Sequence, residues 1–134
     1  MLAVLEQSLK ELVQKTPGGE AALIMDGAGI ALATYSRAHG HPASSGPGSS
    51  RANAFDISTI GIEFSVVVSS AKRAAEMLEA GSAREVSVVS DKLVTLIRTI
   101  GDDYFLALQI SPNGNIGKGR FLLRVLEPQL RAQL

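Results

Sequence analysis

Apolar residues first recur at helical spacing, with Leu2, Leu5, Leu9, Leu12 and Val13 on one side and Glu6, Lys10, Glu11 and Lys15 elsewhere, until Pro17-Gly18-Gly19 ends the pattern. The spacing predicts an amphipathic helix over residues 2–15. Two short apolar runs follow, Ala21 to Met25 and Ile30 to Tyr35, joined by Asp26-Gly27-Ala28-Gly29. The Asp-Gly step can adopt the positive φ angles of a tight hairpin, so the runs read as two antiparallel strands. Between Asp56 and Ala80 the helical period returns in two stripes. Ile57, Ile60, Phe64, Val67, Ala71, Ala75 and Leu78 form one, suited to cover a sheet, while Ile62, Val66, Arg73 and Met77 form the other on the far side. The second stripe needs a covering surface of its own, and an exposed apolar strip of that length marks a protein interface. Within this segment FSVVVSS alone could be a strand, since β-branched residues are indifferent helix formers. The strongly helical KRAAEMLEA that follows extends the helix back through it.

Three strands come next in quick succession, Glu85 to Ser90, Leu93 to Ile100 and Tyr104 to Ile110, separated by Asp91-Lys92 and Gly101-Asp102-Asp103. Connections this short demand an antiparallel meander. Pro112-Asn113-Gly114-Asn115 breaks the last strand and offers capping residues, after which Ile116, Leu122, Leu123, Leu126 and Leu130 predict a final helix bent near Pro128. The element order is α-β-β-α-β-β-β-α, that of an α+β protein, with no internal repeat, so residues 1–134 read as one domain. From Ser36 to Ser50 the chain turns to Ser, Gly, Pro, Ala and His, with almost nothing to offset the entropy of ordering. A flexible insertion over residues 36–55 is predicted.

Composition narrows the function. A chain of 134 residues can bury about two-thirds of its unfolded surface and needs no staples. The absence of cysteine removes disulfides, thiolate nucleophiles and thiolate-bound zinc. Thirteen Lys and Arg against thirteen Asp and Glu leave no net field to gather nucleic acid or an anionic membrane. No apolar run approaches the ~20 residues that span a bilayer. The start MLAVLEQSLKEL places polar and acidic residues where a signal peptide keeps its apolar stretch. A cytoplasmic protein is expected, without membrane insertion and without nucleic acid as a partner. With no Trp, two Tyr and four Phe, it has little material for stacking bases.

Catalytic groups are sought without success. His39 and His41 fall in the insertion, where neither a fixed base nor further metal ligands are supplied. Asn115 to Arg120, NIGKGR, is close to a phosphate loop, but the Walker pattern requires Gly at Pro112 and Ser or Thr at Gly119. It reads instead as a helix start with basic residues facing solvent, able at most to hold an anion. Asp102-Asp103 suits a turn. Lys72, Arg73, Glu76 and Glu79 make a charged surface on the central helix, with Arg84 and Glu85 just beyond. Alternating charge usually marks a solvated face. Arg73, however, sits among the apolar residues of the second stripe, where interfaces favour arginine. No catalytic residue, metal or cofactor is assigned, and the expectation is a protein-binding module rather than an enzyme.

The element order, the hairpin in EAALIMDGAGIALATYS, the apolar central helix and the run REVSVVSDKLVTLIRTIGDDYFLALQISPNGNIGKGRFLLRVL resemble the Roadblock/dynein light chain family, most of all its bacterial MglB-like branch. The resemblance covers nearly the whole chain except the Ser/Gly-rich insertion, which is longer than the tight connection usual in the family. It implies a five-stranded antiparallel sheet in the order 2-1-5-4-3, the central helix on one face and the terminal helices on the other. Members dimerise by pairing second strands and central helices, which implies a seam at Ile30, Leu32 and Thr34 and a helix pair near Ile62, Val66, Arg73 and Met77. MglB-like proteins act on small Ras-like GTPases. The resemblance therefore implies a homodimeric, non-catalytic regulator of such a GTPase, with Lys72, Arg73, Glu76 and Arg84 as candidate partner-binding residues. A passive scaffold subunit, or a small-ligand sensor with a pocket between sheet and helices, is the alternative.

Overall fold

The computed structural model describes residues 1–37 and 57–134, and of 57–59 only the backbone. The expected elements are present: α1 (Leu2–Lys15), β1 (Gly19–Asp26), β2 (Ala31–Ser36), α2 (Ile57–Met77), β3 (Glu85–Val89), β4 (Val94–Ile100), β5 (Tyr104–Ile110) and α3 (Ile116–Arg131). All five strands pair antiparallel in the order β2-β1-β5-β4-β3, as the family resemblance implies. Strands β1 and β5 lie inside the sheet with both faces covered. That is why Ala21 to Met25 and Phe105 to Leu108 are continuous apolar runs rather than alternating ones.

Side-chain alternation sorts these runs into two layers. Ala22, Ile24, Leu106, Leu108 and Ile110 turn towards α1 and α3, where Leu5, Leu9, Leu12, Val13, Leu123 and Leu130 meet them. Leu23, Met25, Ile97, Phe105 and Ala107 turn the other way, towards Phe64 and Val68 of α2. Among the described residues sixteen buried ones form the first cluster and six the second, so there the terminal helices carry most of the hydrophobic stabilisation and α2 is the more lightly anchored layer. The two terminal helices are tied at their connections: Ser111 N donates to Gly18 O at 2.9 Å and Asn115 N to Pro17 O at 2.8 Å. Helix α3 opens at Asn115, whose Oδ1 accepts from Lys118 N at 2.9 Å, and runs through Pro128 to Arg131.

The structure departs from the sequence reading in local detail. In the β1–β2 turn the positive φ falls on Gly29 (+84°), not on the Asp-Gly step. Asp26 O accepts from Gly29 N at 3.0 Å and Asp26 Oδ1 from Ala28 N and Ile30 N, so the carboxylate organises the turn and the glycine reverses it. Leu2 is exposed instead of joining the α1 stripe in the core. Ser36, placed at the start of the insertion, is the buried last residue of β2. Arg37 is also held, its backbone N donating to Glu20 O and its guanidinium to Gly19 O and Val13 O. The rest of the expected insertion, with His39 and His41, lies outside the described residues.

Helix α2 stops at Met77, short of Ala80, because Glu79 takes a left-handed conformation (φ 55°). Glu79 N donates to Glu76 O and Ala80 N to Ala75 O, the paired bonds of a Schellman cap. Leu78, expected on the sheet-facing stripe, is thereby turned out and left 78% exposed. A side chain in this conformation is strained where glycine is not. Glu79→Gly is expected to stabilise the fold by about 0.5–1 kcal/mol, read as a higher Tm by circular dichroism; a lower Tm contradicts this account of the cap.

Candidate protein-interaction surface

Helix α2 presents two unlike faces. Ile60, Phe64, Val67, Ala71 and Ala75 are half-buried, Phe64 against the sheet, and Val68, absent from the expected inward stripe, is the most deeply covered of the helix's described side chains at 5% exposure. On the opposite side Ile62 and Val66 are each 55% exposed, Met77 is 82% exposed, and Arg73 is exposed among them. The spacing of four, seven and four residues keeps these side chains on one line along the helix.

The β1–β2 turn docks against the first half of this helix. Gly29 and Gly61 approach so closely that a Cβ on Gly61 would lie 1.9 Å from Gly29 O, and a Cβ on Gly29 would lie 2.7 Å from Ile62 N. Ser65 Oγ donates to Gly27 O and fastens the same contact. The consequence is positional. Ile30, next to Gly29 and 64% exposed, is brought beside the start of the Ile62–Val66 line, so turn and helix offer one apolar surface.

Strand β2 forms an outer edge of the sheet. Its pairs with β1 alternate from the bond between Arg37 N and Glu20 O, which leaves the backbone groups of Thr34 and Ser36 pointing away from β1. Met25 pairs with Ala31 and Ile24 with Ala33, so Leu32 is an extra residue, a bulge. Leu32 packs on the α1/α3 core, while Ala31 packs on the α2 side and Thr34 pairs with Leu23 of that same layer. The expected seam residues Ile30, Leu32 and Thr34 thus share an edge but not a face.

The expected charged residues divide. Arg73 belongs to the outward apolar line. Lys72, Glu76 and Arg84 line a groove of about 840 Å³ at the end of the sheet where β3 begins, together with Arg98, Glu127 and Arg131. Lys72 Nζ donates to Asp102 O at 3.1 Å within it. Arg120, expected to face solvent, instead pairs with Glu85 Oε2 at 2.8 Å and fastens α3 to β3. Gly119 is buried, and a Cβ there would lie 2.6 Å from Ile110 Cδ1, so this glycine of NIGKGR serves the packing of α3 on β5 while Gly117 is exposed. Sequence reasoning missed Arg98, whose place between apolar neighbours in β4 was its one signal. It also missed Gly61, an isolated glycine inside a helical pattern, which often marks a close approach.

No protein-family model and no curated protein matches the chain. Solved structures do. MglC from Myxococcus xanthus is 33% identical, with 96% of this chain and 97% of that one covered and a TM-score of 0.61. The Roadblock/LC7 domain from Streptomyces avermitilis is 17% identical over 96% and 95% of the two chains, with a TM-score of 0.76. Myxococcus xanthus MglB is 9% identical over 98% and 87%, with a TM-score of 0.79.

The glycine contact yields a prediction of definite sign. Helix propensity alone makes Gly61→Ala stabilising by ~1 kcal/mol, whereas forcing a Cβ against the Gly29 carbonyl destabilises by ~1–3 kcal/mol. Urea unfolding is expected to show a lower midpoint for the variant; a raised midpoint would mean that turn and helix do not touch.

Proposed function

This chain belongs to the Roadblock/LC7 domain family, and from that premise we propose that it acts as a homodimer that regulates a small Ras-like GTPase without supplying catalytic groups of its own. The observation that carries the reading is the apolar line Ile62, Val66 and Met77, continuous with Ile30 beside the open edge of β2. An uncovered sheet edge and an uncovered helix line are both liabilities in a protein that stays alone. A two-fold axis covers both at once, β2 pairing with β2 about Thr34 and α2 lying beside α2.

Magnitudes favour using both surfaces. Each apolar side chain gains at most ~1.5–3 kcal/mol on full burial, and those already half-covered gain less. Association costs ~4–15 kcal/mol in lost freedom. One helix line leaves little surplus, whereas the same line doubled by symmetry and joined to a strand seam leaves enough. The paired helices then form a continuous platform flanked by Arg73 from both copies.

On such a platform the GTPase brings its own Mg²⁺ and phosphate contacts. The dimer contributes binding energy that holds the switch loops in one arrangement, favouring hydrolysis or exchange. The likeness of the sequence to the MglB-like branch supports this partner class.

Two measurements test the proposal. Light scattering across a dilution series should give a dimer of the 14.1 kDa chain, and Ile62→Asp with Val66→Asp should give a folded monomer; a wild-type monomer at every concentration would sink the homodimer. Added to a small Ras-like GTPase from the same cell, the wild type should change the rate of hydrolysis or nucleotide exchange and the double variant should not. Binding with unchanged rates would leave a scaffold.

A further inference from the structure

The sheet has a second open edge, β3, at the end opposite β2. Ser90 N donates to Leu93 O and Thr99 N to Arg84 O, which sets the alternation of the β3–β4 ladder. The backbone groups of Glu85, Ser87 and Val89 therefore point outward, away from β4. Strand β3 carries none of the usual guards against pairing: it holds neither Pro nor Lys, its only charge is engaged by Arg120, and Val89 is 76% exposed.

At the start of β3 this edge opens into the groove lined by Arg84 and Arg98. Neither guanidinium has a hydrogen bond or ion pair among the described residues; Glu85 is bonded to Arg120, while Glu127 is within ion-pair distance of Arg131 and its Oε2 is buried without a hydrogen bond. The Nε of Arg98 is buried without a partner. A cation that has lost part of its hydration and gained no carboxylate is unfavourable unless an acceptor arrives from outside. The groove also carries acidic side chains, Glu76, Glu79, Asp102 and Glu127, and Lys72 of α2 lines it as well.

We propose that the β3 edge and the Arg84–Arg98 end of the groove form a docking site for an extended, acidic C-terminal peptide segment of a partner protein. Direction follows from geometry. A segment adding antiparallel to β3 runs from Val89 towards Glu85, so its C-terminal end arrives at the groove, where its carboxylates meet the two arginines. Main-chain bonds to Glu85, Ser87 and Val89 supply general affinity and the charge pairing supplies selectivity. The site lies at the far edge of the sheet from the proposed dimer seam and does not rest on it.

The probe is a dye-labelled heptapeptide, Thr-Val-Thr-Val-Thr-Asp-Glu with a free C-terminal carboxylate, compared by fluorescence anisotropy with the same peptide ending in Lys-Lys-amide. The acidic probe is expected to bind the full chain at least tenfold more tightly than the basic one. Arg98→Gln and Ser87→Pro should each weaken it at least tenfold. Ser87→Pro removes an N–H that points outward and so spares the ladder to β4, which circular dichroism checks. Arg84→Gln, at an exposed position, should weaken it several-fold with no effect on folding. Equal affinity for the two probes, no binding of the acidic probe at millimolar concentration, or binding unaffected by Arg84→Gln and Arg98→Gln would each overturn the proposal.

Discussion

The contact of Gly29 with Gly61, backbone against backbone, is the constraint on which the functional face depends. The α1/α3 layer would hold the sheet without it, through a buried cluster far larger than the one beneath α2. Among its described side chains helix α2 has few such anchors: one deeply buried residue, a half-buried stripe and this approach to the β1–β2 turn. Because neither glycine carries a Cβ, the helix can sit low enough for Ser65 to reach Gly27 and for Ile30 to stand beside Ile62. Fixing the height of the helix therefore fixes the composition of the outward surface.

That surface also explains the distribution of apolar residues. A helix apolar on both sides would be a misfit on a sheet with solvent above it. Here the inner side meets Leu23, Met25, Ile97 and Phe105, and the outer side carries Ile62, Val66 and Met77 in register with an open strand edge. The two edges of the sheet differ in kind. The β2 edge adjoins the apolar line, while the β3 edge adjoins a groove with two arginines that have no ion pair or side-chain hydrogen bond among the described residues. The proposed self-association and the proposed acidic-strand site are thus separated by the width of the sheet.

Much of the architecture was legible in the sequence because it rests on periodicity. The 3.6-residue repeat of α1 and the inner stripe of α2 correspond to burial, the outer stripe of α2 to the exposed apolar line, and the run from 85 to 110 to the antiparallel meander of β3 to β5. The order of strands came from family resemblance, since no local pattern encodes which strand lies beside which. What escaped was decided by tertiary contact. The bulge at Leu32 looks like ordinary alternation in ALATYS until Met25 and Ile24 are seen to pair around it. Glu79 gives no hint of a left-handed cap, because glycine is the residue that advertises one. Arg120 and Arg98 have the same side chain, yet one is fastened to Glu85 and the other has no partner among the described residues, a difference set by packing between α3 and the sheet.

Amide hydrogen exchange at Thr34, followed by NMR at high and low protein concentration, tests the central claim most directly. Its backbone groups point away from β1 and, among the described residues, have no partner in the sheet. The account predicts slow exchange at Thr34 when the protein is concentrated and fast exchange on dilution, with Ala33 and Tyr35 slow throughout. Fast exchange at Thr34 under all conditions would contradict it, for then no second strand covers the β2 edge.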